Sequence, residues 1–254
     1  MSPKPRSSTH AGVASDGTIE EAGKRVLVAE DNPVNQQLTL QMLSKLGCAA
    51  DLVANGREAV DAVLKAVAAE EPYDLVFMDV QMPELDGLGA AAALRDAGLS
   101  PNDLTIIALT ANVYRSDIDA CIAAGMQGHV AKPVRQRQLA EALGMSGRTS
   151  DASSGKVDVE TEPSLVAMFT KKIEITVKLV SQALESDLST AQHEALVTAL
   201  HQLSGTAMYF GGAELGDFAR EAEAALTTES RTEIELALTK FLDSVEASDF
   251  RQAA

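Results

Sequence analysis

The first half of this 254-residue chain alternates short apolar runs with helix-length amphipathic segments. Five apolar runs have the length of buried strands, and they lie at 26–29, 49–53, 75–78, 106–109 and 129–131. Helical periodicity predicts the intervening helices at 33–46, 56–69, 88–96 and 113–124. This alternation predicts an α/β domain, in which a doubly wound, five-stranded parallel sheet of the flavodoxin-like type has helices on both faces.

Polar residues follow four of the predicted strands directly. Glu30 and Asp31 come after the first strand and Asp79 after the third, while Thr110 and Lys132 end the fourth and fifth. In sheets of this kind, ligands bind beyond the carboxyl ends of the strands, so these side chains are expected to converge. Any one of them alone would be an ordinary strand-end residue. Together they predict a site in which a hard cation such as Mg²⁺ offsets the repulsion between three carboxylates.

The second half contains only helical periodicity and predicts an antiparallel four-helix bundle. Its helices are predicted at 165–184, 188–210, 215–226 and 234–250. His201 lies off the apolar stripe of the second of these helices, so its ring is expected to stand in solvent. Gly205 follows one turn later and leaves space for a docking partner, although a mid-helix glycine costs about 1 kcal/mol relative to alanine.

Composition narrows the class of protein further. The chain has 37 acidic and 21 basic residues, a net charge of −16, which argues against nucleic-acid binding. Because no apolar run has the length of a signal peptide core or a membrane span, we expect a cytoplasmic protein without membrane insertion. Cys48 and Cys121 are isolated and are expected to be reduced, buried thiols. The predicted organisation is a disordered tail at 1–23, domains at 24–145 and 157–254, and a flexible linker at 146–156.

The first domain resembles a response-regulator receiver of the type found in hybrid histidine kinases. The resemblance rests on four segments, which are Val28–Gln36, Met78–Gly87, Ala108–Ala111 and Ala131–Pro133. It implies that Asp79 becomes the phosphoaspartate and that Thr110 and Lys132 bond and pair with the phosphoryl oxygens. It also implies a Mg²⁺ ion held by the carboxylates of Glu30, Asp31 and Asp79 and by the backbone carbonyl of Gln81.

One position of the receiver motif departs from the usual pattern. Receivers commonly have Tyr or Phe three residues before the lysine, where the aromatic ring moves inward together with the threonine on phosphorylation. This chain has His129 at that position. The predicted switch residues are therefore Thr110 and His129, and the alternative is that His129 is a static residue at the edge of the sheet.

The second domain resembles a histidine-phosphotransfer (HPt) domain through the segment His201–Ala207, followed by Phe210 and Gly211. The resemblance implies that His201 carries the phosphoryl group as a phosphohistidine and that Gly205 provides access to it. Ser204 stands where the family commonly has lysine, so one cation near the phosphohistidine is missing.

Together the two domains predict a phosphorelay protein. Asp79 would take a phosphoryl group from the phosphohistidine of a sensor histidine kinase, and His201 would exchange one with the receiver of another response regulator. The sequence has no kinase ATP-binding segment, so the phosphoryl group is expected to come from another protein. Transfer between Asp79 and His201 is also expected to run through partner proteins. The alternatives are a non-catalytic interaction module, a phosphate sink, or the C-terminal part of a hybrid histidine kinase.

Overall fold

The computed structural model describes residues 24–111, 114–145, 163–228 and 230–248. The first domain contains a parallel sheet in the order β2-β1-β3-β4-β5. The strands are β1 (Arg25–Ala29), β2 (Ala49–Val53), β3 (Leu75–Asp79), β4 (Thr105–Thr110) and β5 (Gly128–Ala131). The intervening helices are α1 (Pro33–Lys45), α2 (Gly56–Ala68), α3 (Gly87–Asp96) and α4 (Arg115–Ala123), and α5 (Gln136–Ala142) follows the last strand. This arrangement confirms the predicted α/β fold and adds bounds for α5, which the sequence patterns had not supplied.

The sheet is covered on both faces because its central strands are apolar on both sides. One face packs against α2 and α3 through residues such as Val63 and Leu94. The other face packs against α1 and α5 through residues such as Leu38 and Leu139. All five residues of β3 are buried, so the strand that ends at Asp79 is held rigidly in the middle of the domain.

The second domain is a bundle of four helices, which confirms the all-α prediction. They are α6 (Pro163–Glu185), α7 (Thr190–Thr206), α8 (Ala213–Thr228) and α9 (Arg231–Ala247), with a short 3₁₀ helix at Ala207–Phe210. Ser189 caps α7 by accepting a hydrogen bond from the backbone N–H of Gln192. Gly211 has φ = +81°, a conformation that glycine adopts easily, and it ends the 3₁₀ helix that continues α7.

The two domains pack against each other through the α1 side of the sheet. Leu165 of α6 and Tyr209 of the 3₁₀ helix belong to the same buried cluster as Leu38 and Leu139 of the first domain. Helix α1 also packs against α6. The second domain therefore covers the face of the first domain next to the carboxyl ends of β1 and β3.

Several sequence predictions concern residues outside this core. The predicted tail at 1–23 and linker at 146–156 lie outside the described residues. Within the described ranges, no helix combines the length and the apolarity needed to cross a membrane, and the cytoplasmic location stays a prediction.

Both cysteines are free, but only Cys121 is buried. The prediction of a buried thiol is therefore wrong for Cys48, which is half-buried beside the start of β2.

Candidate active site

The carboxylates predicted to converge do so at the carboxyl ends of β1 and β3. Oxygen atoms of Glu30, Asp31 and Asp79 lie within 4.8 Å of one another. Lys132, just after β5, reaches across β4 into this cluster and places its Nζ 2.8 Å from Glu30 Oε2 and 2.6 Å from Asp79 Oδ2. The parallel register of the sheet thus joins residues that are up to about a hundred positions apart in sequence.

Burial and mutual repulsion set the protonation of this cluster. Burial, followed by the charge of Glu30, raises the pKa of Asp79 well above the usual range, and Lys132 opposes this shift. Burial lowers the pKa of Lys132, but the charges of Glu30 and Asp79 outweigh it and raise that pKa overall. Burial also raises the pKa of Asp31. Lys132 offsets only part of the charge of the three carboxylates, and a further cation would reduce the remaining repulsion.

The donor set fits a hard divalent cation. Carboxylate oxygens are the protein ligands that Mg²⁺ prefers, and three of them converge here from two strand ends. The cavity at the cluster has a volume of about 150 Å³, which leaves space for an ion with bound water. Gln81 also lines this cavity, and its backbone N–H donates to Asp79 Oδ1 at 3.2 Å.

Local sequence features hold Asp79 and its neighbours in place. A Cβ on Gly87 would lie 2.1 Å from the carbonyl oxygen of Asp79, so only glycine allows the loop after β3 to return this closely. The N–H of Gly87 donates to the carbonyl of Val80, which closes that loop at 2.9 Å. Thr110, at the end of β4, is buried and lines the cavity. The peptide bond between Lys132 and Pro133 is cis.

The imidazole of His201 is oriented by a carboxylate in its own domain. His201 Nδ1 lies 3.0 Å from Oε1 of Glu223 on α8. Burial lowers the pKa of His201, but the hydrogen bond and the charge of Glu223 outweigh it, and the pKa is raised overall. Because an ionised carboxylate only accepts hydrogen bonds, Nδ1 carries the proton, and Nε2 of the neutral ring keeps its lone pair.

The expectation that the His201 ring stands in solvent is wrong. Its side chain is 23% exposed, and it lines the same cavity as Asp79 and Lys132. Helical periodicity identified correctly the face of α7 that points away from the bundle core. It could not show that the first domain covers this face.

Hydrogen bonds hold α7 over the acidic cluster. Asn32, whose Oδ1 caps α1 by accepting from the N–H of Val34, also donates through Nδ2 to the carbonyl of Gln202 at 2.9 Å. Gln202 Nε2 donates to Asp31 Oδ2 at 2.5 Å. The backbone N–H of Val134 donates to the hydroxyl of Tyr209. These contacts connect the carboxyl edge of the sheet to α7 and to the 3₁₀ helix that follows it.

The remaining predicted site residues lie in different surroundings. An ideal Cβ on Gly205 would lie 3.9 Å from Asn35 Nδ2, so Gly205 faces the first domain and lines the cavity, as expected for a docking position. Ser204 is 8% exposed and donates to the carbonyl of His201 at 2.8 Å. His129 is exposed on β5, an edge strand, and its part in a switch stays a prediction.

Sequence reasoning missed three residues of this site. Glu223 and Lys172 lie outside the motifs, and Gln202 is a residue of the HPt segment to which the motif assigns no role. Each of the three gains its place only through contacts between helices or domains. The one available signal was the position of Gln202 beside His201. Two neighbouring residues on a helix point in directions about 100° apart, so a partner that covers one can also contact the other.

Two family models match the chain, one in each domain. The response regulator receiver model matches residues 26–144, and the Hpt model matches residues 164–248. The chain is a receiver domain followed by an Hpt domain. This confirms both resemblances drawn from the motifs, and the matched ranges leave the exact domain boundaries as predictions.

Proteins similar to this chain include histidine kinases. The sensor histidine kinase GacS of Pseudomonas protegens is 27% identical over 236 residues, which are 84% of this chain and 25% of GacS. The osmosensing histidine protein kinase SLN1 of Saccharomyces cerevisiae is 37% identical over 135 residues, 52% of this chain and 11% of SLN1. The chain thus spans a quarter or less of the length of these relatives.

Among solved structures, one similar chain belongs to the complex of the Saccharomyces cerevisiae histidine phosphotransfer protein Ypd1 with the receiver domain of Ssk1. The match has 30% identity and a TM-score of 0.42 and covers 47% of this chain and 86% of that chain. Another is the receiver domain of the histidine kinase PA1611 from Pseudomonas aeruginosa PAO1, with a magnesium ion in its active site cleft. It is 40% identical, with a TM-score of 0.42, over 48% of this chain and 95% of that chain.

Proposed function

We propose that this chain is a two-component phosphorelay protein in which a phosphoryl group passes directly between Asp79 and His201 of the same molecule. One observation carries the proposal: both side chains line a single cavity, together with Glu30, Asp31 and Lys132. A carboxylate and an imidazole that share a cavity with an ammonium form a donor, an acceptor and a charge stabiliser for phosphoryl transfer. The proposal adds a direct route within the chain to the expected route through partner proteins.

The step proceeds by in-line displacement. When Nε2 of His201 attacks the phosphorus, the bond between phosphorus and the Asp79 oxygen breaks, and its electron pair returns to the carboxylate. The proton on Nδ1 stays in place, and Glu223 stabilises the positive charge that develops on the ring. In the reverse direction, the Asp79 carboxylate attacks and His201 leaves as a neutral imidazole. Lys132 pairs with the phosphoryl oxygens in both directions, and Thr110 bonds to one of them.

We propose Mg²⁺ as the cofactor of this site, with Glu30, Asp31 and Asp79 as its carboxylate ligands and the backbone carbonyl of Gln81 as a further ligand. The convergence of the three carboxylates supports this assignment. When bound, the ion supplies positive charge that reduces the repulsion between the carboxylates and the phosphoryl group.

The proposed partners are a sensor histidine kinase that phosphorylates Asp79 and a response-regulator receiver that exchanges a phosphoryl group with His201. The proposed location is the cytoplasm. The pairing of a receiver with an Hpt domain supports this assignment. An origin as part of a longer hybrid kinase is compatible with it. Because α7 covers the site, a protein donor reaches Asp79 only when the domains separate. The intact charge set around Asp79 favours a relay over an interaction module that only binds.

The relay is tested by labelling the full chain with radioactive acetyl phosphate in the presence of Mg²⁺. Label on Asp79 is stable in acid and labile in base, and label on His201 is labile in acid and stable in base. We expect both kinds in the wild type, neither in Asp79→Asn, and only the first in His201→Gln. His193→Gln is the control, because His193 lies on the same helix and contacts the carbonyl of Leu226 instead of the cavity.

Concentration separates transfer within a chain from transfer between chains. For the proposed route, the rate at which label reaches His201 is independent of protein concentration. A mixture of the Asp79→Asn and His201→Gln chains should then transfer far more slowly than the wild type. Equal rates in the mixture and the wild type would rule out direct transfer within the chain, and a lack of label on His201 in the wild type would rule out the relay.

A further inference from the structure

The side chain of Gln202 extends from the Hpt domain to a carboxylate of the proposed metal site. Its Nε2 donates to Asp31 Oδ2 at 2.5 Å, and its Oε1 accepts from Lys172 Nζ at 2.5 Å. An amide NH₂ donates to a carboxylate, and an amide oxygen accepts from an ammonium, so the two partners define the orientation of the amide. Both ends of Gln202 are therefore held in place.

Asn32 closes this group of contacts across the domain boundary. Its Oδ1 lies 3.2 Å from Lys172 Nζ, and its Nδ2 donates to the backbone carbonyl of Gln202. Asn32 is buried, and it directly follows the proposed metal ligand Asp31. Lys172, Asn32 and Gln202 thus form a ring of hydrogen bonds that exists only when the two domains are docked.

We propose that the Hpt domain forms the outer shell of the receiver's metal site, so that domain docking strengthens Mg²⁺ binding through Gln202. This inference rests on the proposed function for the presence of Mg²⁺ at the site. Gln202 bonds to Oδ2 of Asp31 and so fixes the direction in which this carboxylate points. Loss of such an outer-shell partner typically weakens metal binding by about 10- to 100-fold.

By thermodynamic linkage, the effect of domain docking on Mg²⁺ affinity is reciprocal. If docking increases the affinity of the site for Mg²⁺ by some factor, then Mg²⁺ must increase the docking equilibrium by the same factor. The metal would thus favour the arrangement in which His201 and Asp79 share one cavity. Removal of the metal would favour the open arrangement, in which a protein donor can reach Asp79.

The test compares metal binding by the full-length wild type and by Gln202→Met, which keeps the length of the side chain and removes its hydrogen bonds. Mn²⁺ is used as the probe, because its free fraction can be read by electron paramagnetic resonance. We expect Gln202→Met to bind Mn²⁺ about tenfold more weakly than the wild type. Gln182→Met is the matched control, because Gln182 lies near the far end of α6 and does not line the cavity, and its affinity should equal that of the wild type.

A second measurement follows docking itself. The amide of Val134 donates to Tyr209 across the domain boundary, so its hydrogen exchange reports on opening of the interface. Mg²⁺ should slow this exchange in the wild type, and clearly less so in Gln202→Met.

The outcomes separate the inference from the function on which it rests. An affinity in Gln202→Met equal to or tighter than that of the wild type overturns the link, although the metal site itself stands. Exchange at Val134 that does not respond to Mg²⁺ in a wild type that binds Mn²⁺ also overturns it. A wild type that binds no Mn²⁺ refutes the proposed metal centre, and the inference then fails with it.

Discussion

Tyr209→Phe should loosen the contact between the two domains without disturbing either one. The hydroxyl of Tyr209 accepts a hydrogen bond from the backbone N–H of Val134, and the two residues are 8% and 2% exposed. Phenylalanine keeps the packing of the ring but leaves this N–H without its acceptor in the docked state. In the separated state, water satisfies the N–H, so the loss falls on docking alone.

A buried donor that loses its partner costs about 1–3 kcal/mol. This corresponds to a docking equilibrium that is weaker by roughly 5- to 150-fold. The assay mixes a receiver fragment (residues 1–150) with an Hpt fragment (residues 151–254) and measures the dissociation constant by titration calorimetry, after circular dichroism has shown that each fragment is folded.

Tyr73→Phe in the receiver fragment is the matched control. Its hydroxyl donates to Asp51 Oδ2 at 2.7 Å within the receiver, so its loss should leave the dissociation constant unchanged. If Tyr209→Phe binds as tightly as the wild type, the contact with Val134 does not hold the domains together. If the two wild-type fragments do not associate at all, the docked arrangement requires the covalent connection between the two domains.

Two further predictions concern the titrating groups of the site. Glu223→Gln should lower the pKa of His201, followed by NMR of the imidazole, because the amide can keep the hydrogen bond but not the charge. Because Glu223 raises the pKa of His201 in the folded state, the pair stabilises the fold below the pKa of about 6.5 of a free imidazole. This stabilisation is lost as the pH rises through the raised pKa of His201. Wild type and Glu223→Gln should therefore differ in stability most at mildly acidic pH, and an unchanged pKa would contradict the pairing. Asp31→Asn should abolish the increase in melting temperature that Mg²⁺ gives the wild type, because a ligand that binds only the folded state stabilises it. An equal increase in both proteins would exclude Asp31 as a ligand.

The sequence predicted the convergence of the polar residues in the receiver because strand order determines position in a parallel sheet. Once β1, β3, β4 and β5 were recognised as strands, the carboxyl-edge rule alone brought Asp79 and Lys132 together. The backbone hydrogen bonds between neighbouring strands set the relative positions of these two residues. No side-chain packing had to be known in advance.

The contacts of His201 could not be predicted in the same way. The periodicity of α7 shows which face leaves the bundle core, but it contains no information about what covers that face. Docking depends on matched contacts such as Asn32 with Gln202, and their two partners lie 170 positions apart in sequence. Each partner alone has the character of an ordinary polar residue.

The docked arrangement also determines the order in which the site can be used. The face of the receiver around Asp79 is occupied by α7 of its own Hpt domain, so in the proposed relay a kinase and this domain would compete for one surface. Because the two domains share one chain, the Hpt domain would compete at a high effective concentration. If the proposed relay is correct, phosphorylation of Asp79 by a kinase and transfer to His201 are separated by a change in domain arrangement. Gln202 bonds to the carboxylate of Asp31 only in the docked state, so it would connect that change to the charge of the acidic cluster in the receiver.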